Sequence, residues 1–273
     1  MFVKSYLDGI VAYSKAVKLL FEHKLFAFFI YPIAFIFLIH YFGKEIFDNL
    51  KEMEIGFVYE VDYFSLTNDQ LQDILYFGLN LLLVFIFINF WSYIALFCMI
   101  PLNTYMSMKT DTIITQNKFP FSWKQLIEDI RRSAIIIFRN MVIWIILVFI
   151  IQLIMDLLIS VTGMQDLDYL NIIFIQLVGF YFYGYSLVDY TLERFRMTVE
   201  ESNKFVWKNK FLIMGIGTIY GLLFQIPGVV FGISVGNFIG VIFGPVLGVI
   251  AATIAMHEIM DLSSNQFIKN KKS

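Results

Sequence analysis

The sequence predicts an all-α integral membrane protein that forms a single membrane domain over residues 1–273. Hydrophobic residues make up 59% of the chain and charged residues only 15%, and long apolar stretches recur along it. This is more apolar surface than one soluble core can bury. Open strands are excluded from lipid, and the stretches lack the period-two alternation of barrel strands, so helices are the expected structure.

The apolar stretches predict about six hydrophobic helices. A helix needs about 20 apolar residues to cross the hydrocarbon layer. Five regions are long enough, namely residues 25–43, 74–100, 140–161, 169–188 and 211–256. The last region has 46 residues without a charge, so it must fold back on itself, and Pro227–Gly228 is the predicted turn. We therefore expect four spans and a glycine-rich C-terminal hairpin, with re-entrant segments as an alternative to complete spans.

The positions of lysine and arginine predict the orientation. All but two of the 20 basic residues fall in residues 1–24, 109–139, 189–210 and the C-terminal tail. Because basic loops stay in the cytoplasm, both termini are expected on the cytoplasmic side of the cell (inner) membrane. The acidic segment 45–73 and the three acids Asp156, Asp166 and Asp168 are expected in water on the opposite side.

The basic segments also carry helical patterns. Residues 1–24 lack the cleavage site of a signal peptide, and their apolar residues recur at helical spacing, which predicts an amphipathic helix in the headgroup plane. Capping-box spacing at Ser122 and Thr198 predicts helix starts one residue later, at Trp123 and Val199. Three arginines near the first of these starts are expected to reach lipid phosphates: Arg131, Arg132 and Arg139.

A glycine stands at every fourth position from Gly228 to Gly248. Small residues at this spacing let helices approach closely in lipid. Four residues turn a helix by about 400°, so the glycines drift around it. Either several neighbours cross the helix, or it is broken, and Pro245 directly after Gly244 favours a break or kink. We call this series of glycines the glycine ladder. The glycine ladder allows tight packing of helices, or it belongs to a re-entrant hairpin whose backbone lines a polar path. The path candidates are Gly228, Gly232, Gly236, Asn237, Gly240 and Gly244.

Enzymatic and metal sites are not expected. The segment GISVG (residues 232–236) fits the G-x-S-x-G pattern with His257 downstream, but that pattern needs a strand-to-helix turn. His257 also lacks the second histidine of a zinc-binding pair. We predict no catalytic residue, no cofactor, no metal and no nucleic-acid partner. No lysine or arginine is expected deep in a span, so helix N-termini, amides and hydroxyls would have to bind an anion there.

Several segments together resemble the CysZ sulfate-permease family, which shares its domain with the eukaryotic etoposide-induced membrane proteins. An amphipathic opening helix precedes a span that contains Pro32. The other segments are IPLNTYMS (100–107), SLVDYTLERF (186–195), NKFLIMGIGTIYGLLFQIPGVVFG (209–232) and GPVLGVIAAT (244–253). The resemblance implies a helical homo-oligomer with partly inserted hairpins, and sulfate uptake that feeds cysteine synthesis in bacteria.

The resemblance also directs attention to particular residues. Related bacterial permeases carry an arginine pair before the first span, whereas Phe26 and Ala27 stand at the aligned positions here, with the loop candidates His23 and Lys24 nearby. Two residues of SLVDYTLERF, Asp189 and Tyr190, are structural candidates. The leading hypothesis is a channel or permease for a small inorganic anion such as sulfate. The alternative is a non-transporting protein that organises or shapes the lipid bilayer.

Overall fold

Helices make up nearly all of the structure. The computed structural model describes residues 2–38, 41, 92–116, 123–163, 167–195 and 197–260, and no strand occurs in these ranges. The helices are α1 (Phe2–Glu22), α2 (Ile100–Thr115), α3 (Trp123–Thr162), α4 (Leu167–Arg194), α5 (Val199–Lys208), α6 (Lys210–Phe231) and α7 (Ile233–Ile259). A short 3₁₀ helix, Leu25–Phe29, follows α1. The predicted all-α fold is confirmed.

Four helices are long and apolar enough to cross a membrane. They comprise Leu126–Thr162, Tyr169–Arg194, Lys210–Phe231 and Val235–Ile259. Helix α1 and the segment Leu25–Leu38 meet at a bend of 112° and together could form a fifth span. The protein is therefore a multi-pass membrane protein, as predicted. Most of the predicted span 74–100, the acidic segment 45–73 and the C-terminal tail lie outside the described residues.

Glycines allow the central helices to touch backbone to backbone. Helices α6 and α7 form a hairpin, α4 packs along α6, and α1 crosses both arms of the hairpin. A Cβ atom at Gly217 of α6 would lie 1.7 Å from the carbonyl oxygen of Phe180 on α4. One at Gly9 of α1 would lie 2.4 Å from the carbonyl oxygen of Leu212 on α6. Close packing of small residues is the ordinary means of helix association in lipid.

The hairpin turns one helical turn later than predicted. Helix α6 continues through Pro227 to Phe231, and the chain reverses at Gly232, whose φ is +98°. The prediction of a turn at Pro227–Gly228 is therefore wrong. A proline removes one backbone hydrogen bond, which a packed membrane helix can tolerate, whereas a positive φ favours glycine. Pro245 likewise lies inside the continuous helix α7 and does not break it.

The helix start predicted from the capping pattern at Thr198 is confirmed. Helix α5 begins at Val199, and Thr198 and Glu201 form the reciprocal capping box. Helix α3 is described from Trp123 onwards, and its predicted cap Ser122 lies outside the described residues. The apolar residues that define the predicted amphipathic face of α1 are mostly exposed, including Val3, Leu7 and Phe21. A separate face of α1 packs against the bundle, with Gly9, Ala12, Tyr13, Ala16 and Leu20 buried. The exposed face is free to contact lipid, as expected of a helix in the headgroup plane.

Candidate functional site

Helix α2 buries one polar face. Residues three or four apart share a face of a helix, and α2 places five buried polar residues in this way: Asn103, Thr104, Ser107, Thr110 and Asp111. Buried polar side chains need hydrogen-bond partners. Helices α4 and α7 provide partners for three of the five, Asn103, Ser107 and Asp111, in three successive layers.

The first layer is a buried ion pair that joins three helices. Arg194 at the end of α4 places Nη1 3.4 Å from Oδ2 of Asp111 on α2, and it also donates to the carbonyl oxygen of Ser107. His257 on α7 pairs through Nε2 with the other carboxylate oxygen of Asp111. The side chains of Arg194 and Asp111 are only 6% and 1% exposed, so water screens their attraction little.

The second layer is a ring of three hydroxyl groups from the same three helices. The Oγ of Ser107 lies 3.0 Å from Oγ1 of Thr253 and 3.4 Å from Oγ1 of Thr191. The two threonine oxygens are 3.1 Å apart. Thr253 also donates to the carbonyl oxygen of Val249, one turn earlier in α7, at 2.9 Å. All three ring residues have no exposed surface.

The third layer continues into the bundle. Nδ2 of Asn103 donates to the hydroxyl of Tyr190 at 3.3 Å, and that hydroxyl lies 3.5 Å from the carbonyl oxygen of Leu96. The three layers together form a polar column between α2, α4 and α7. We define the polar column as Asn103, Ser107, Asp111, Tyr190, Thr191, Arg194, Thr253 and His257.

A second polar cluster lies on the other side of α4, against α3 and α5. Arg132 of α3 places Nη2 3.2 Å from Oδ1 of the buried Asp189 and 2.8 Å from Oγ of Ser202. Arg139 donates to the hydroxyl of Tyr185 at 2.9 Å and to Oδ1 of Asn203 at 2.9 Å.

The expectation that these two arginines reach lipid phosphates is therefore wrong. Asp189, 1% exposed, needs a cationic partner inside the protein, because a lone buried carboxylate is costly. Arg132 meets that need and at the same time holds α5 against α4. Arg131 is exposed on the same helix, and for it lipid contact stays a prediction.

Several buried N–H groups of the arginines have no hydrogen-bond partner within the described part of the chain. They are Nε and Nη2 of Arg194, Nε of Arg132 and Nε of Arg139. Leaving a buried donor without a partner costs about 1–3 kcal/mol, and more for a charged group. Arg194 is the most deeply buried of the three and has two such donors, which makes it the strongest candidate for contact with a ligand.

The glycines proposed as a solute path lie in the hairpin contact. A Cβ atom at Gly236 would lie 2.4 Å from Cα of Gly228, and one at Gly240 would lie 2.2 Å from the ring of Phe224. Gly244 faces the rings of Tyr220 and Phe224. These glycines therefore let α6 and α7 approach, and their role in a solute path stays a prediction.

The other path candidates are Gly232, which forms the hairpin turn, and Asn237, which is half-buried. The last glycine of the series shows how the glycines drift around α7. Gly248, at the far end, faces Leu187 of α4 and the hydroxyl of Tyr13 of α1. Of the two alternatives, several neighbours therefore cross one helix, and the favoured break at Pro245 is wrong.

The loop candidates His23 and Lys24 lie at the bend after α1, and both are exposed. Lys24 has a left-handed backbone, with φ 52°. The ring of Phe26 lies 5.1 Å from that of Phe21. Within the described ranges, no three histidine, cysteine or acidic side chains form a group that could hold a metal ion.

Sequence reasoning missed most of the polar column. Asp111 and Arg194 fall in the basic segments 109–139 and 189–210, which gave no sign of a buried contact, and His257 was considered only for hydrolysis or metal binding. The spacing of Asn103, Ser107 and Asp111, four residues apart, is a signal that could have revealed a buried polar face. Three segments that carry the resemblance also meet here: IPLNTYMS supplies Asn103 and Ser107, SLVDYTLERF supplies Tyr190, Thr191 and Arg194, and GPVLGVIAAT supplies Thr253.

The fold and this site define a multi-pass α-helical membrane protein with a buried, partly charged polar column at one end of the bundle. The family described as "Sulfate transporter CysZ/Etoposide-induced protein 2.4" matches residues 12–233. That range is most of the chain, and the protein belongs to this family. A search of curated proteins gives no significant match.

Proposed function

We propose that the protein is a channel or permease for a small inorganic anion such as sulfate. The family description names a sulfate transporter, and the helices are those of a multi-pass membrane protein. The single observation that carries the proposal is Arg194, a cation enclosed by membrane helices with N–H donors that no described residue accepts. Ionisable residues inside a membrane protein are costly and are usually functional.

The chemistry of the column suits an anion. An anion that leaves water must exchange its hydration shell for donors or positive charge in the protein. Arginine provides a planar set of donors that matches an oxyanion, and neighbouring hydroxyls can add further donors. This arrangement supports transport and gives no support to an enzymatic role.

Uptake of sulfate by purified protein tests this proposal. Reconstituted liposomes should accumulate radiolabelled sulfate faster than protein-free liposomes of the same lipid, and unlabelled sulfate should compete. Wild-type protein that moves neither sulfate nor any other small anion, although it is folded and inserted, would contradict the proposal.

We further propose that the charged end of the column faces the cytoplasm of the cell that takes up the anion. The ends of several helices gather there, as shown by the ion pair between Lys15 of α1 and Glu258 of α7 and by that between Arg194 and Asp111. Basic segments favour the cytoplasmic side. Lys118→Cys in a Cys98→Ala background should resist a membrane-impermeant maleimide in intact cells. Labelling from outside would show that the protein has the opposite orientation in the membrane.

Two observations favour the second candidate, a protein that shapes the bilayer without transport. Phe224 fills the space beside Gly240 in the hairpin, and many large apolar side chains of α1 and α3 are exposed, where they can contact lipid. Under this hypothesis the reconstituted protein gives no flux but changes vesicle size or curvature in electron micrographs. Flux with ordinary vesicles would exclude it.

A further inference from the structure

The geometry points to a binding site for a tetrahedral oxyanion formed by Arg194 and the hydroxyl ring of Ser107, Thr191 and Thr253. Asp111 is the carboxylate that holds Arg194 when no anion is bound. This inference rests on the proposed transport of a small anion and names the residues that bind it.

The free donors of Arg194 lie on one edge of its guanidinium group. Nη1 donates to the carbonyl oxygen of Ser107 and lies 3.4 Å from Oδ2 of Asp111, with which it forms an ion pair. Nε and Nη2, whose N–H bonds point in the same direction, are buried and have no partner among the described residues. This edge is the one that binds two oxygens of a carboxylate, sulfate or phosphate side by side. It therefore selects an oxyanion in preference to a spherical ion such as chloride.

The hydroxyl ring lies next to this guanidinium group, because Arg194 binds the backbone of Ser107, whose side chain belongs to the ring. The proton of Thr253 goes to the carbonyl oxygen of Val249. The protons of Ser107 and Thr191 are then shared within the ring, at oxygen separations of 3.0 and 3.1 Å from Thr253. Hydroxyl groups rotate freely about the C–O bond, so these two can turn to donate to an anion beside Arg194.

The negative charges around Arg194 determine how tightly an anion is held. Asp111 is in contact with it, and Asp129 adds a further attraction. His257 from α7 faces Asp111. Asp111 therefore competes with a bound anion for the same guanidinium group and repels it. Weak binding of this kind suits conduction, because an ion that enters must also leave.

This competition predicts that substitution of Asp111 increases the affinity for sulfate. Sulfate binding to the detergent-solubilised full chain is measured by calorimetry in sulfate-free chloride buffer. Asp111→Asn keeps the shape but removes the competing charge, so the affinity for sulfate should rise by about tenfold or more. A purely structural role of Asp111 predicts weaker binding or none.

A matched pair of threonines tests the hydroxyl ring. Thr253→Val should weaken sulfate binding several-fold, because it removes the oxygen that organises the ring. Thr218→Val is the control: Thr218 of α6 also donates to the carbonyl oxygen four residues earlier, at 2.8 Å, and is also buried, but it lies outside the column beside Tyr6. It should bind sulfate as wild type does.

The contribution of Arg194 needs a variant that still folds. Arg194→Gln alone leaves Asp111 buried without its cation, so the double variant Arg194→Gln/Asp111→Asn is used, with gel filtration and thermal unfolding to confirm folding. It should bind no sulfate.

The possible outcomes separate the site from the function. The site is overturned if the double variant still binds sulfate. It is also overturned if Asp111→Asn does not strengthen binding and the two threonine variants bind sulfate equally well. Both conclusions hold even if the wild-type protein transports sulfate. Wild type that binds no sulfate overturns the site as well. The expected binding pattern without any flux into liposomes would support the site and overturn the proposed transport.

Discussion

Helix α7 packs in two different ways along its length. Its first half presents Gly236, Gly240 and Gly244 to α6, where the contact depends on the absence of side chains. Its last turns present Thr253 and His257 to α2 and α4, where the contact depends on hydrogen bonds and charge. The glycine hairpin can hold helices together in lipid without any ligand, whereas the polar column places costly groups in the bundle. The column is therefore the better candidate for function.

The largest effect on stability should come from the charged layer of the column. Arg194→Gln should lower the free energy of unfolding by about 3–5 kcal/mol, because it leaves the buried Asp111 without a cation. Denaturation in detergent micelles with increasing dodecyl sulfate measures the change. The double variant Arg194→Gln/Asp111→Asn should recover much of the loss. A single variant as stable as wild type would show that the ion pair does not hold α2 to α4.

In the glycine hairpin, the stability of the protein should depend on side-chain volume and not on charge. Gly236→Ala should cost about 1–3 kcal/mol, because its Cβ atom would meet backbone atoms of Gly228 and Phe224 at 2.4 and 2.6 Å, and overpacking is costly. Gly244→Ala is the control, since its Cβ atom would meet only ring atoms, the nearest at 3.0 Å. The same denaturation assay applies, and equal costs for the two variants would contradict the backbone contact.

The smallest effect is expected where α1 meets the end of α7. Lys15 and Glu258 form an ion pair whose side chains are 45% and 43% exposed. Lys15→Gln should therefore change the free energy of unfolding by less than about 1 kcal/mol. If Lys15→Gln lowered the free energy of unfolding as much as Arg194→Gln does, burial would not explain how much each ion pair contributes to stability.

Local features of the structure could be predicted from the sequence. Apolar length identified the long helices, and the capping box at Thr198 located the start of α5, because both signals lie within one segment. The drift of the glycines follows from helix geometry alone, but it left several neighbours or a break as alternatives for α7, and only the packing of the bundle decides between them. The turn at Gly232 was missed because Pro227 is a breaker in water but is tolerated in a packed membrane helix.

The polar column could not be predicted in this way, because its residues come from three helices that are distant in sequence. Asp111 and Arg194 each lie beside basic, loop-like segments, and only the packing of α2 between α4 and α7 brings them together. Arg132 shows the same limitation. Its sequence neighbours favour a lipid-facing position, whereas its partner Asp189 lies 57 residues later in the chain.

Sulfate uptake by three variants in liposomes of the same lipid tests most directly whether the column or the hairpin carries the solute. The column account predicts that Thr253→Val loses most of the wild-type initial rate, that Thr218→Val keeps it, and that Asn237→Leu loses less than Thr253→Val. Equal protein insertion is checked by gel densitometry. If Asn237→Leu abolishes uptake while Thr253→Val matches Thr218→Val, the solute path lies in the glycine hairpin and the account is wrong.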